Sequence, residues 1–392
     1  MSLLEPDSEA ALGAAVTDAA AAKAPLEIIG GGTRTGLGRP VQAERTLSVA
    51  KLSGIKLYEP GALTFVAAAG TPMAEVEATL AAEGQRLPFE PMDHRALLGS
   101  TGEPTLGGAV SVAAAGPRRL SAGGCRDSMI GVRFVNGEGT AVANGGRVMK
   151  NVTGYDLVKL MAGQYGTLGV LTEIGFKVLP KPETAACLMI DGLDDARAVA
   201  CMAEAVGSPY EVSGAAHDPA GPSGSPRTML RLEGLARSVA YRTGELTRLL
   251  ARYGEVAVET DPAVVDAMWL AVRDAAPMAG REGAVWQLSV KPSDAPGIVE
   301  RLRAARDLNA VQYDWAGGRI WLLTPEDGDA GAAAIRAETQ AHGGHATLMR
   351  ASPATRAAVD VFEPRPAVLA RIDEGLRARF DPAGILNPGR MG

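Results

Sequence analysis

The sequence predicts an α+β fold in two domains, on three observations. At about 150 residues per domain, 392 residues make two to three domains. Strand-like and helix-like segments alternate along the chain. The alternation changes character at Lys181-Pro182-Glu183, from segments punctuated by glycine to repeated strand–helix units. The expected boundaries are 1–180 for the first domain, 181–375 for a second α+β domain with helices on one face of a sheet, and 376–392 for a short tail.

The elements follow in order. Residues 7–23 read as an Ala-rich helix, and 25–29 (PLEII) as a short apolar strand running into the loop 30–38 (GGGTRTGLG). Residues 64–70 form a second strand. The helix expected over 72–83 starts near Pro72 and stops at Gly84. The stretch 129–143 reads as a β-hairpin turning at Asn136-Gly137, and 167–180 as a long strand ended by Pro180. Beyond the linker, strands near 186–190, 228–235 and 284–290 are each followed by a helix, near 194–206, 236–253 and 293–306. Two further strands lie near 310–323, and a final helix at 364–380 precedes DPAGILNPGRMG.

Composition narrows the function classes. A net charge of −6 gives no basic footprint for nucleic acid or an anionic membrane surface. The 48 glycines and 25 prolines separate apolar runs instead of forming low-complexity tracts, which argues against disorder. Three separated cysteines, Cys125, Cys187 and Cys201, lack the spacing of a disulfide scaffold, a zinc site or an iron–sulfur cluster held by this chain. The longest uncharged stretches, 62–74 and 104–117, are too short to span a bilayer. The acidic start MSLLEPDSEA does not resemble an export signal, so a cytoplasmic location is expected.

Three glycine clusters carry the chemistry. In the loop 30–38, successive glycines let backbone N–H groups converge on an anion. The Lys-Ser/Thr of an ATPase phosphate loop is absent, and Arg39-Pro40 stands where a dinucleotide-fold helix should begin. Taken alone, the loop reads equally as a cofactor cradle or a glycine-rich turn. The second cluster, Ser100-Thr101-Gly102-Glu103-Pro104-Thr105-Leu106-Gly107-Gly108, precedes AVSVAAAG and reads either as a flat-ligand surface or as tight packing. The third, Gly123-Gly124-Cys125-Arg126-Asp127, lies just before the hairpin. Gly166-Thr167-Leu168-Gly169 then opens the long strand.

The order of these blocks resembles the vanillyl-alcohol-oxidase superfamily, with its p-cresol-methylhydroxylase-type FAD domain. The shared features are strand–GGGT–loop, then Leu87-Pro88-Phe89-Glu90-Pro91, then TLGG, a Gly-Arg-Asp block, DLVKLMAGQYGTLGVLTE and the ending DPAGILNPG. Within it, GEPTLGGAVSVAAAGPRR, MKNVTGYDLVKLMAG and HGGHATLMRA are most similar to the E subunits of bacterial glycolate oxidases. The resemblance implies a two-part FAD-binding domain with a cap domain, and a tail that returns to the FAD domain. It also implies a complex with a larger FAD-containing subunit and an iron–sulfur subunit, acting on a small 2-hydroxy acid and attached peripherally, if at all, to the inner membrane.

Carried over residue by residue, the resemblance implies that the backbone of Gly31, Gly32, Thr33, Arg34 and Thr35 holds the pyrophosphate. Pro91 belongs to the same set. Thr105, Gly107, Gly108 and Ser111 line the flavin and its ribityl chain; Gly124, Arg126 and Asp127 border the diphosphate–ribityl region. Val170 lies on the adenine side, and Asn387 near the flavin ring. Relatives that attach FAD covalently place a histidine beside the first loop; here Thr33-Arg34 stands there, so non-covalent FAD is expected.

Oxidising a 2-hydroxy acid needs a base near the hydroxyl. Of four histidines, His94 in PMDHRALL is the best candidate base, with Arg95 beside it as an anion contact. His342 and His345 lack a carboxylate at ligand spacing and the Gly-Asp-Gly-Asn core of metal-binding relatives, so no metal is expected. The leading expectation is an electron-transferring or assembly subunit. The alternatives are an autonomous FAD-dependent 2-hydroxy-acid dehydrogenase and a flavin-free structural subunit.

Overall fold

The computed structural model describes residues 2–113, 115–146, 154–221 and 224–392. The Met149–Thr153 portion of the MKNVTGYDL motif and Ala114 of the small-residue run lie outside the described residues. The chain divides into two compact units: Met1–Ala115, Gly123–Lys181 and Pro364–Gly392 in the first, Gly116–Ala122 and Pro182–Glu363 in the second.

In the first unit, Ser8 caps the helix Glu9–Ala22 by accepting from the Ala11 N–H, and Leu12, Val16 and Ala19 bury one face of it. Strands Ser2–Leu4, Arg45–Ser48 and Leu26–Ile29 form a parallel three-stranded sheet. A five-stranded antiparallel sheet runs in the order Ile55–Glu59, Thr64–Ala68, Val170–Lys177, Met129–Val135, Ala141–Gly145. The expected hairpin forms, but its turn spans five residues. Asn136 Oδ1 accepts from the N–H groups of Glu138 and Thr140, and Gly139, not Gly137, takes positive φ.

The return of the chain begins at Pro364, ahead of the expected 376. The reason is physical: Ala367–Phe380 is one continuous helix whose Leu376 and Phe380 pack against the Phe65–Phe134–Phe176 core. From there Leu386 pairs with Leu26 beside the parallel sheet.

The second unit is built on an eight-stranded antiparallel sheet. Its order is Ala257–Glu259, Thr184–Asp191, Arg227–Gly234, Gly214–Asp218, Ala310–Asp314, Arg319–Thr324, Ala284–Ser289, His345–Arg350. Helices Asp195–Gly207, Ala236–Leu250, Ala295–Ala305 and Ala332–Ala341 cover one face, sealing a core around Leu188, Leu230, Trp286 and Leu322. One helix departs from the expected one-sided cover. Pro262–Arg273, capped by Asp261, lays Val265, Trp269 and Val272 on Cys187 and Ala216. Cys187 alternates with Ala186 and Leu188 along its strand, so this is the opposite face.

Candidate functional site

A strand of the first unit's parallel sheet leads into a groove. Leu26–Ile29 ends at Gly30, and the loop that follows forms one wall from Gly30 to Thr35. Three other segments of the same unit close it: Thr105–Val112, Tyr165–Leu171 in part, and Asn387 with Arg390 from the tail. The groove between them is partly open to solvent.

The loop's glycines are required by geometry. A Cβ on Gly31 would stand 1.9 Å from the Glu103 carbonyl oxygen, so only glycine lets the first loop lie against the 100–105 segment. Gly32 has φ +77 and open space where a Cβ would be, a bare backbone facing the groove. Thr105 accepts from the Gly108 N–H, which fixes the turn into Leu106–Ser111. The tail is tied in by Asn387, whose Oδ1 accepts from the Ile28 N–H (2.8 Å) while its Nδ2 donates to the Tyr165 carbonyl (2.7 Å). Arg390 pairs with Glu27 at 2.8 Å and donates to the Leu37 carbonyl at 3.0 Å.

The titratable side chains on the described walls are Arg34, Tyr165 and Arg390. Burial pulls the Arg34 guanidinium down to about 10, with Asp93 raising it and Arg95 lowering it further; it stays a cation at pH 7. Burial pushes the Tyr165 phenol up to about 12, so it stays protonated. Such walls can bind an anion and donate hydrogen bonds, but they hold no group ready to take a proton near neutrality.

The structure brings together Gly31, Gly32, Thr33, Arg34, Thr35, Thr105, Gly107, Gly108, Ser111, Val170 and Asn387, all on the groove. It does not bring Gly124, Arg126 or Asp127 there. Asp127 Oδ2 instead accepts from the Gly124 N–H at 2.8 Å, capping the one-turn helix Cys125–Ser128, and the Arg126 carbonyl accepts from Lys159 Nζ. Pro91 is buried off the groove, though the carbonyl of its neighbour Met92 accepts from Arg34. His94 is buried at the head of the short helix Arg95–Leu98, and Arg95 is held by both carboxylate oxygens of Asp93; neither lines the groove.

His342 Nδ1 faces the Glu338 carbonyl, and its Nε2 lies 3.1 Å from Arg301. Among the described residues no cluster of three His, Cys, Asp or Glu is arranged to hold a metal ion. Tyr165 and Arg390 are groove residues that the sequence reading missed. The available signals were a tyrosine between Gln164 and Gly166 and a basic residue closing the NPG tail.

Comparison with known proteins places this geometry in context. A family described as "FAD binding domain" matches residues 2–144. The glycolate oxidase subunit GlcE of Escherichia coli (strain K12) is 37% identical over 393 residues, covering 99% of each chain. The glycolate oxidase subunit GlcD of Bacillus subtilis (strain 168) is 42% identical over 85 residues, 22% of this chain and 18% of that one. In fold, the chain resembles p-cresol methylhydroxylase with substrate bound (TM-score 0.71, 16% identity, 100% of this chain and 88% of that one). It also resembles alkyldihydroxyacetonephosphate synthase (TM-score 0.67, 15% identity, 98% and 75%).

Proposed function

Because this chain belongs to the family of the glycolate oxidase subunit GlcE, we propose that it binds FAD non-covalently in the groove of its first unit and serves as an FAD-linked subunit of a glycolate-oxidising complex. The observation that carries this reading is the convergence of four segments, distant in sequence, on one groove. The chemistry of the lining suits the cofactor. A bare-backbone cradle at Gly31-Gly32 and a buried cation at Arg34 suit the diphosphate of a dinucleotide.

In this reading the loop 31–35 would hold the diphosphate; Thr105, Gly107, Gly108 and Ser111 would flank the flavin and ribityl chain. Val170 would stand on the adenine side, and Asn387 would fix the tail against the flavin. When bound, FAD supplies a two-electron acceptor for the oxidation of a hydroxyl to a carbonyl. The chain's own contribution is to bind and orient it and to donate hydrogen bonds from walls that are cationic or neutral.

That wall chemistry supports a subunit role over a self-sufficient dehydrogenase. Arg34 stays charged, Tyr165 keeps its proton and Arg390 is paired with Glu27, so none of them is set to take the proton of a substrate hydroxyl. The substrate-oxidising step would then fall to a larger FAD-containing subunit. The three cysteines are buried as single thiols, so an iron–sulfur carrier would be held by a further chain. Among the described residues no helix is long and apolar enough to cross a membrane.

The test is anaerobic mixing of the purified, FAD-loaded chain with glycolate or D-lactate. The flavin band is expected to persist with the chain alone and to bleach once the co-purifying subunits are added. Bleaching of the isolated chain would instead establish an autonomous dehydrogenase.

A further inference from the structure

We propose that the side chain of Arg34 is the counter-charge for the diphosphate of the bound dinucleotide, a cation that the folded chain buries with no carboxylate in ion-pair contact. The inference rests on the reading that the groove takes FAD, and it adds the group that discriminates the ligand's charge.

Arg34 is 9% exposed and lies on the groove wall. Its hydrogen-bond partners are both neutral: the Met92 carbonyl at 3.1 Å and the Thr33 hydroxyl at 3.4 Å. Its Nε has no hydrogen-bond partner, and among the described residues no carboxylate forms an ion pair with it. The nearby acid, Asp93, is committed to Arg95, and Arg95 adds a like charge to the neighbourhood.

Other buried arginines of this chain are treated differently. Arg390, on the same groove, has Glu27; Arg319 has Asp314, and Arg336 has Glu363. Burying a guanidinium without compensation is costly, and the cost is lifted when an anion arrives. A diphosphate is the anion suited to it, since the planar fork of arginine matches phosphate oxygens and a diphosphate carries charge that a nucleoside or a flavin ring lacks.

Two effects of opposite sign follow from removing this charge with an apolar side chain of similar length. The ligand-free protein no longer buries an unpaired cation, so it should not lose stability. The diphosphate ligand loses its counter-charge, so its affinity falls. A residue that merely braced the loop against Met92 would move both in the same direction.

The experiment compares the flavin-stripped full-length chain with R34M and R34K, reading melting temperature and the binding of FAD, ADP and adenosine at low and high salt. R34M is expected to melt at or above the parent and to bind ADP about tenfold or more weakly. Its adenosine binding should be unchanged and its ADP binding less salt-sensitive, with R34K recovering part of the ADP affinity.

If R34M melts lower and loses affinity for ADP and adenosine alike, or keeps the parent's affinity for ADP and FAD, Arg34 is a structural brace and the inference is overturned, while the FAD reading stands. Should the parent itself bind neither FAD nor ADP, the FAD reading falls and this inference with it. If R34M fails to fold, the parent's own salt profile decides. ADP binding that is no more salt-sensitive than adenosine binding contradicts a counter-charge at Arg34.

Discussion

At the scale of single residues, the groove depends on positions where one atom more is too many or one hydrogen bond fewer leaves a gap. Gly32 presents bare backbone at positive φ, so Gly32→Asp adds bulk, strain and like charge against a diphosphate. The variant is expected to fold with a normal circular dichroism spectrum and to retain no flavin after gel filtration. Asn387 works differently, joining Ile28 to Tyr165 through one side chain. Asn387→Ala should lower the unfolding free energy by about 2–4 kcal/mol, from two lost hydrogen bonds and the buried groups left unpaired, measurable by urea titration.

Legibility divides along the same line. The loop 30–38 could be read because an apolar strand runs directly into consecutive glycines. The cluster at Gly123–Asp127 looks alike in sequence, yet its carboxylate turns back onto the Gly124 N–H, a choice that spacing alone does not encode. His94 lies buried off the groove; a histidine beside a predicted ligand loop says nothing of which way the ring is buried.

Among the elements, some helices were legible and others were not. Glu9–Ala22, Asp195–Gly207 and Ala236–Leu250 lie within a few residues of their expected ranges. Pro262–Arg273 was overlooked despite the Asp261-Pro262 start signal. Its outward Val264 and Leu270 are exposed, which flattens the contrast with the inward Val265, Trp269 and Val272.

The large sheet of the second unit rests on Trp286, fully buried with its Nε1 donating to the Ala330 carbonyl. Trp286→Ala should cost about 3–5 kcal/mol, seen as an earlier unfolding transition of that unit.

The helix Asp195–Gly207 adds a pH signature. Burial raises the Asp195 carboxyl, but the nearby His217 ring, a hydrogen bond from Tyr313 and the charge of Arg303 outweigh it and hold the group below the ordinary value. A lowered native value means that the unfolded chain binds the proton more readily. The stabilisation is therefore full above about pH 4 and is lost as pH falls through the native value. Asp195→Asn should flatten the decline of melting temperature below pH 4.

For the whole molecule, the linker near 181 was visible as a change in composition, and the return to the first unit near 364 was not. The reason is that 367–380 is one helix whose allegiance is decided by Leu376 and Phe380, far along its length. The chain is similar over its full length to the glycolate oxidase subunit GlcE and over only 85 residues to the glycolate oxidase subunit GlcD.

The central claim is that the first unit of this chain holds FAD without a covalent bond. The direct measurement is the absorbance spectrum of the purified full-length chain, before and after acid precipitation. The account predicts near-stoichiometric flavin on the native protein, all of it released as FAD into the supernatant. A colourless protein that takes up no FAD on incubation, or flavin that stays with the precipitate, would contradict it.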